Sequence, residues 1–171
     1  IVVSDAPGGF LRRVGAAAGA EVVALCQEGL PQELVETAAL QTDMEHGALA
    51  LARRYGATMS AARQPSPAGD VDPARLRDAQ DRLLFAQALE ALRCLDEGVV
   101  RSVAEANLAS VQGLGFPRWT GGAIQYVNQY GLAKFAARSA DLAARCGERF
   151  RAPGLLHRLV EAGARAVEAP A

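Results

Sequence analysis

Apolar side chains recur along most of this chain at the three- and four-residue spacing that places them on one face of a helix. The clearest stripe has apolar residues at successive helical positions, namely Leu84, Ala88, Ala91, Leu92 and Leu95. Ile1–Val3 is instead a short β-branched run, either a strand edge or a linker arriving from elsewhere. The pattern therefore predicts an all-α protein with a short extended N-terminal segment.

Local start and stop signals divide this pattern into separate helices. Gly29 follows the first helix, Asp72 before Pro73 forms an N-cap and first-turn pair, and Ser102 with Glu105 reads as a capping box. The remaining boundaries follow from other Gly and Pro positions. The predicted helices cover residues 10–28, 31–40, 44–55, 73–97, 102 to the 113–122 turn, 121–129, 132–146 and 153–162.

The chain contains an internal similarity that indicates two related helical units. Glu21, Glu28 and Glu36 each have an identical residue 69 positions later, at Glu90, Glu97 and Glu105 respectively. Duplication is favoured over a coincidence between amphipathic helices, because the shared Glu-Gly stop at 28–29 and 97–98 is followed by a second helix in both places. Two such copies would pack against each other, because one unit alone cannot bury its apolar face. A Pro- and Gly-containing linker at 64–72 separates a first unit, 1–63, from a second unit, 73–171.

Composition and charge exclude several classes of function. The formal net charge is −1, which predicts neither nucleic-acid binding nor attraction to an anionic membrane. No apolar run reaches the length of about 20 residues that spans a bilayer. The cysteines and histidines are isolated in sequence, without metal-ligand spacing, and three scattered cysteines suggest a reducing, cytoplasmic compartment.

The segment GLGFPRWTGGA at 113–123 concentrates glycine, proline and the chain's single tryptophan between two predicted helices. We interpret four of its residues as a structural turn: Gly115, Phe116, Pro117 and Trp119. Thr120 is the expected N-cap of the next helix, and Gly121 and Gly122 permit close backbone approach. That helix N-terminus either faces an anion such as a CoA phosphate or packs against the other unit with Phe116 and Trp119 in the core. Packing is the favoured interpretation.

Most of residues 81–156 resembles a known family, the C-terminal helical domain of 3-hydroxyacyl-CoA dehydrogenases. The resemblance is carried by EALRCLDEG at 90–98, GFP at 115–117 with WTGG at 119–122, and NQYG at 128–131. It is greatest to the large subunit of bacterial fatty-acid oxidation complexes, which joins the dehydrogenase to an enoyl-CoA hydratase. The resemblance implies the helical fold of the 6-phosphogluconate-dehydrogenase C-terminal-like domain.

The resemblance also implies a division of labour between this chain and other parts of a parent enzyme. NAD and the catalytic His–Glu pair belong to a dinucleotide-binding domain, whose Gly-x-Gly-x-x-Gly motif is not in this sequence. This chain then supplies no catalytic residue, and its candidate substrate-binding residues are Arg12, Arg13, Thr120, Gly121 and Gly122. The first unit departs from the family at Arg12 and at residues 43–48, so it reads as degenerate.

Two functions follow as expectations. The first is the substrate-side and dimerisation domain of an NAD-dependent enzyme that oxidises an L-3-hydroxyacyl-CoA, with the fragment inactive alone. Its expected partners are acyl-CoA and either a second copy or a thiolase subunit. The alternative is a non-catalytic helical dimerisation module derived from that family.

Overall fold

A computed structural model describes residues 9–56 and 72–168, and every regular element in these two ranges is helical. The all-α prediction is therefore confirmed for the described part of the chain. Ile1–Val3 and nearly all of the 64–72 linker lie outside the described residues. The helices are α1 Phe10–Gln27, α2 Gln32–Gln41, α3 Ala48–Arg54, α4 Pro73–Asp96, α5 Val103–Leu114, α6 Ala123–Tyr130, α7 Leu132–Cys146 and α8 Gly154–Glu161, with single 3-10 turns at Arg118–Thr120 and Glu148–Phe150.

The predicted helix starts are confirmed in detail at two caps. The Asp72 carboxylate accepts a hydrogen bond from Ala74 N at 2.9 Å, and Ser102 Oγ accepts one from Glu105 N at 3.1 Å. The capping box is not reciprocal, because the Glu105 carboxylate accepts from Arg101 N instead of Ser102 N. The Glu105 carboxylate therefore anchors the backbone at Arg101, one residue before the Ser102 N–H that a capping box predicts as its partner.

The predicted start of the third helix is wrong. The third helix was expected from about residue 44, but α3 begins at Ala48. Asp43 has a left-handed backbone with φ of 63°, and Met44 N returns to Ala39 O, so residues 42–47 form a turn. The turn buries Met44 against the core while its neighbours Asp43 and Glu45 stay exposed.

The centre of the molecule is the packing of α1 against α4. Along α1 the fully buried positions lie at helical spacing, and they are Phe10, Val14, Ala18, Val22 and Leu25. On α4 the predicted stripe is buried from Leu84 to Leu92, while Leu95 is partly buried. Each large aliphatic side chain buried in this way contributes about 1.5–3 kcal/mol relative to exposure.

The contacts made by α1–α3 are repeated by α4–α6. α1 packs on α3 as α4 packs on α6, and α2 packs on α3 as α5 packs on α6. Across the centre, α1 contacts α5 and α4 contacts α2. This reciprocal arrangement supports the prediction of two related units, whose exact limits of 1–63 and 73–171 stay a prediction.

α7 and α8 cover the second half of this arrangement. Phe135 of α7 stacks on Phe85 of α4 with ring centroids 4.1 Å apart, and Tyr126 and Tyr130 of α6 meet both rings edge-on. Phe150, in the turn after α7, is fully buried. The aromatic cluster fixes α7 against α4 and α6, so the second half of the chain has a larger core than the first.

Candidate functional site

The turn predicted at 115–117 takes its shape from two backbone requirements. Gly115 ends α5 with φ of 69°, a left-handed conformation that a side chain disfavours. Phe116 N then bonds to Ser110 O, and the Phe116 ring is fully buried. Pro117 precedes the 3-10 turn at Arg118–Thr120. Gly115, Phe116 and Pro117 therefore form the structural turn that the sequence indicates.

The N-terminus of α6 has its first backbone N–H groups occupied by side chains of α5. Ser110 Oγ accepts from Ala123 N at 3.0 Å, and Asn107 Oδ1 accepts from Ile124 N at 2.9 Å and from Gln125 N at 3.0 Å. Groups that could otherwise bind an anion are thus satisfied internally. The arrangement favours packing over anion binding, and the element that α6 packs against here is α5 of its own unit.

Thr120 is not the N-cap of α6, which begins at Ala123 with Gly122 in the cap position. The Thr120 side chain is fully buried, donating from Oγ1 to Pro117 O at 2.7 Å and accepting from Gly122 N at 3.0 Å. The two glycines add residues between Thr120 and the helix. Thr120 therefore ties the turn together instead of capping α6.

Gly122 is required by close approach to a backbone. Its φ is 121°, and a Cβ atom placed there would lie 2.5 Å from Asn107 Cα. The neighbour is α5 of the same unit, so the expectation that the glycine pair permits close packing between the two units is wrong at Gly122. Gly121, with φ of 76°, would meet only the flexible Gln125 side chain.

The turn at 115–119 packs against the turn at 42–47, and we call this contact the turn junction. Glu45 N donates to Gly115 O at 2.9 Å, and the Arg118 guanidinium lies 3.0 Å from the Glu45 carboxylate. Trp119 Nε1 donates to Thr42 O at 3.2 Å. Trp119 is 59% exposed, so its predicted core position is wrong, because its indole lies over the turn at 42–47.

Arg13 is part of an ion-pair pattern that joins the two halves of the molecule. Its guanidinium pairs with Glu90, at 2.6 Å, and with Glu97. Arg82, 69 positions later, pairs with Glu21 and Glu28, each at 2.5 Å. Each arginine therefore bridges the two glutamates of the other unit, and we call these pairs the arginine clamps.

The two arginine clamps differ in burial. The side chains of Arg82 and Glu21 are 4% and 0% exposed, whereas those of Arg13 and Glu97 are 25% and 54% exposed. Arg149 supplies a second cation to Glu21, with Nε 2.5 Å from the carboxylate. The buried clamp thus carries two arginines on one fully buried carboxylate, which compensates for its removal from water.

Ion pairing lowers the pKa of one glutamate in each arginine clamp. A hydrogen bond from Arg82 lowers the pKa of Glu28, and one from Arg13 lowers the pKa of Glu97. Beside the exposed clamp, burial raises the pKa of the Cys94 thiol to about 12. Cys94 is therefore a neutral thiol at physiological pH, and it is unsuited to act as a nucleophile.

The predicted substrate-binding residues are not all brought together. Arg13 is engaged in its clamp, and Arg12 is exposed on α1. Across the described ranges, neither arginine forms a hydrogen bond or ion pair with Thr120, Gly121 or Gly122. Their role in binding substrate stays a prediction.

Sequence reasoning missed Arg82 and Arg149. Arg82 could have been found, because it lies at the same 69-residue offset from Arg13 that relates Glu21 to Glu90. Arg149 has no such signal, since it reaches Glu21 over 128 positions from the turn after α7. Its position depends on how α7 folds back over α4.

A cleft lies beside the buried clamp. It has a volume of about 480 Å³ and is lined by Leu25, Glu28, Asp78, Arg82 and Arg145, among others. Two of its arginines are paired with acidic residues, Arg82 with Glu21 and Glu28, and Arg145 with Asp78 at 2.8 Å. Within residues 9–56 and 72–168, no group of three or more His, Cys, Asp or Glu side chains could hold a metal ion. In the same ranges, no helix is long and apolar enough to cross a membrane.

These features define an all-α domain in which ion pairs, the arginine clamps above all, join the two halves. Among known proteins, the chain is similar to the alpha subunit of the fatty acid oxidation complex. It is 38% identical to that of Acinetobacter baylyi over 87 residues, 49% of this chain and 12% of that protein. The subunit of Pseudomonas entomophila is 40% identical over 77 residues, 45% of this chain and 11% of that protein.

A third alpha subunit, from Vibrio parahaemolyticus, is 39% identical over 74 residues, 42% of this chain. The expected resemblance is thereby confirmed over about half of the chain. The matched part spans only between about a tenth and an eighth of the length of these relatives. No family model matches the chain.

Proposed function

We propose that this chain is the C-terminal, substrate-side domain of an NAD-dependent 3-hydroxyacyl-CoA dehydrogenase of fatty-acid β-oxidation. The parent would oxidise an L-3-hydroxyacyl-CoA to the 3-ketoacyl-CoA in the cytoplasm, with NAD and the catalytic His–Glu pair in an upstream domain. The observation that carries this proposal is 38% identity to a fatty acid oxidation complex alpha subunit over half of the chain. The name of that relative also supports a partner subunit, for which we propose a thiolase.

Within such a parent, the chain's own contribution is a rigid support. The arginine clamps and the turn junction hold the two halves in one arrangement. A fixed wall beside the reacting substrate aids catalysis by positioning, even without a catalytic side chain. The chain alone is then expected to be inactive.

A second candidate, a non-catalytic packing and dimerisation module, is favoured by a specific observation. Arg13 and the first N–H groups of α6, which a CoA phosphate would need, are bound by other residues of the chain. Arg12 is the predicted substrate-binding residue with an exposed side chain that the clamps do not use. The two candidates therefore predict different effects of replacing Arg12 on acyl-CoA binding.

Titration of the chain with an acyl-CoA, together with sedimentation measurements of its oligomeric state, distinguishes the two candidates. The substrate-side domain predicts weak binding that Arg12→Ala reduces, while Arg77→Ala, which removes another exposed arginine, leaves binding unchanged. The packing module predicts no binding to either variant or to the original chain, and a stable dimer. Equal loss of binding in both variants would indicate nonspecific attraction of the CoA phosphates and would contradict the first candidate.

A further inference from the structure

Large apolar side chains are exposed at the turn junction. In the described part of the chain, the strongly exposed ones are Trp119 at 59%, Leu40 at 54% and Leu108 at 42%. Trp119 Nε1 donates to Thr42 O, and Leu40 lies two residues before Thr42. Trp119 and Leu40 therefore belong to one surface, which we call the junction patch, whereas Leu108 lies on α5 outside both turns.

The junction patch is held in place by the contacts beneath it. The Trp119 indole is fixed by its hydrogen bond to Thr42 O at 3.2 Å, and Glu45 N bonds to Gly115 O at 2.9 Å. The ion pair between Arg118 and Glu45 gives the patch an exposed, charged rim. Tryptophan and arginine are enriched in protein interfaces, which have an apolar centre and a polar rim. A surface fixed in this way loses little conformational entropy when it binds.

The chain enters the fold beside this patch. α1 begins at Phe10, and a Cβ atom placed on Gly113 would lie 2.5 Å from the next side chain, that of Leu11. Gly113 lies two residues, at most about 7 Å, before Gly115 of the turn junction. A domain that continues the chain before α1 therefore starts close to the junction patch.

We propose that the junction patch is the surface on which the dinucleotide-binding domain of the parent docks, with Trp119 and Leu40 seated against apolar side chains of that domain. This inference rests on the proposed function, which places that domain directly upstream of α1. The Acinetobacter baylyi subunit has room for such a domain, because the aligned segment is 12% of its length. A tryptophan can bury about 150–250 Å² in such a contact.

A tethered occupant suits a patch of this size. A short linker gives the upstream domain an effective concentration on the order of 1 mM at the patch, so a contact with a Kd of roughly 0.1 mM forms in about nine molecules of ten. A second copy must reach the patch from solution, and a contact this weak leaves it mostly free below roughly 10 μM. Two apolar side chains with one ion pair at their rim therefore favour the upstream domain over a second copy.

Hydroxyl-radical footprinting of the extended parent, beside the chain beginning at Ile1, tests the proposal, because side-chain oxidation follows exposure. Trp119 and Leu40 should be oxidised about tenfold more slowly in the extended protein, since the patch is then free in about one molecule of ten. Leu108 is the internal control and should be oxidised at the same rate in both proteins. Protection by a tethered domain should not change when the protein is diluted.

A matched pair of variants tests whether the tryptophan anchors the contact. In the extended protein, Trp119→Ala should return the oxidation of Leu40 to the rate seen in the chain alone. Leu108→Ala, which removes an exposed apolar side chain outside the patch, should leave Leu40 protected. The same variants of the chain alone supply the reference rates, and circular dichroism verifies that each is folded.

The outcomes separate the docking surface from the dehydrogenase function. Equal oxidation of Trp119 in the two proteins would overturn the proposal, and NADH formation by the same extended protein would show that the dehydrogenase function survives. Protection that disappears on dilution would also overturn it, because a second copy would then cover the patch. Protection independent of concentration, in an extended protein that forms no NADH, would support docking of the upstream chain and contradict the dehydrogenase function alone.

Discussion

At the scale of single residues, the turn between α5 and α6 depends on positions where a side chain has no space or an unfavourable backbone. Gly115 and Gly122 show these two demands separately, one through its left-handed φ and the other through the nearness of Asn107. The sequence shows that the glycines are clustered, but it cannot show which neighbour each one faces. That information depends on how α5 and α6 pack.

Gly122→Ala is expected to destabilise the chain more than Gly121→Ala. Both substitutions place a side chain at positive φ, which costs about 1–2 kcal/mol. Only Gly122→Ala also forces a Cβ atom to within 2.5 Å of the Asn107 backbone, adding about 1–3 kcal/mol. Urea unfolding monitored by circular dichroism measures the difference, and equal losses in the two variants would show that the close approach is not required.

At the scale of helices, the sequence predicts much and misses what depends on distant contacts. The bounds of α7 were predicted correctly, and those of α1 and α4 to within one residue, because glycine, proline and Asp72 mark their ends. The packing interpretation of the 113–123 segment predicts Trp119 in the core, yet its partner is the turn at 42–47, far away in sequence. Arg149 was missed for the same reason, since a contact across 128 positions leaves no local pattern.

Removing the two clamp arginines should have unequal effects, although they are related by the same offset. Arg82→Met leaves the fully buried Glu21 with Arg149 alone, and we expect a loss of about 3–5 kcal/mol. Arg13→Met affects a more exposed clamp, and a loss of about 1 kcal/mol is expected. Denaturant unfolding of both variants checks this.

The Arg82→Met effect should be partly reversed by adding Glu21→Gln, which removes the charge left behind. This recovery distinguishes a buried carboxylate left with one of its two arginines from simple loss of packing. A larger loss for Arg13→Met than for Arg82→Met would contradict the assigned difference in burial.

The clamps also predict how stability depends on pH. Because the folded-state pKa of Glu28 and of Glu97 is lowered, their contribution is present above the ordinary glutamate pKa of about 4.3 and is lost as pH falls through the lowered folded-state value. Glu28→Gln should therefore be less stable than the original chain at pH 7, with the gap closing in acid. Unfolding free energies of both chains, measured in urea from neutral to acidic pH, test this. A difference between the two chains that stays constant with pH would contradict the prediction.

At the scale of the whole molecule, the reciprocal contacts make the two halves one folding unit. α1 and α4 bury their apolar faces against each other, the arginine clamps cross the same interface, and the turn junction joins the halves a second time. α7 and α8 extend the second half, and the turn between them places Arg149 against Glu21 of the first half. Such a unit is suited to support a reacting site that other parts of a larger protein provide.

The most direct test of this account reads the coding sequence upstream of Ile1, and then expresses the extended protein and measures its dehydrogenase activity. We predict a strand–GxGxxG–helix unit followed by a His and a Glu, and NADH production from an L-3-hydroxyacyl-CoA by the extended protein. The chain beginning at Ile1, assayed beside it, should produce none. An extended protein that lacks this unit and forms no NADH would contradict the dehydrogenase account and leave the helical packing module.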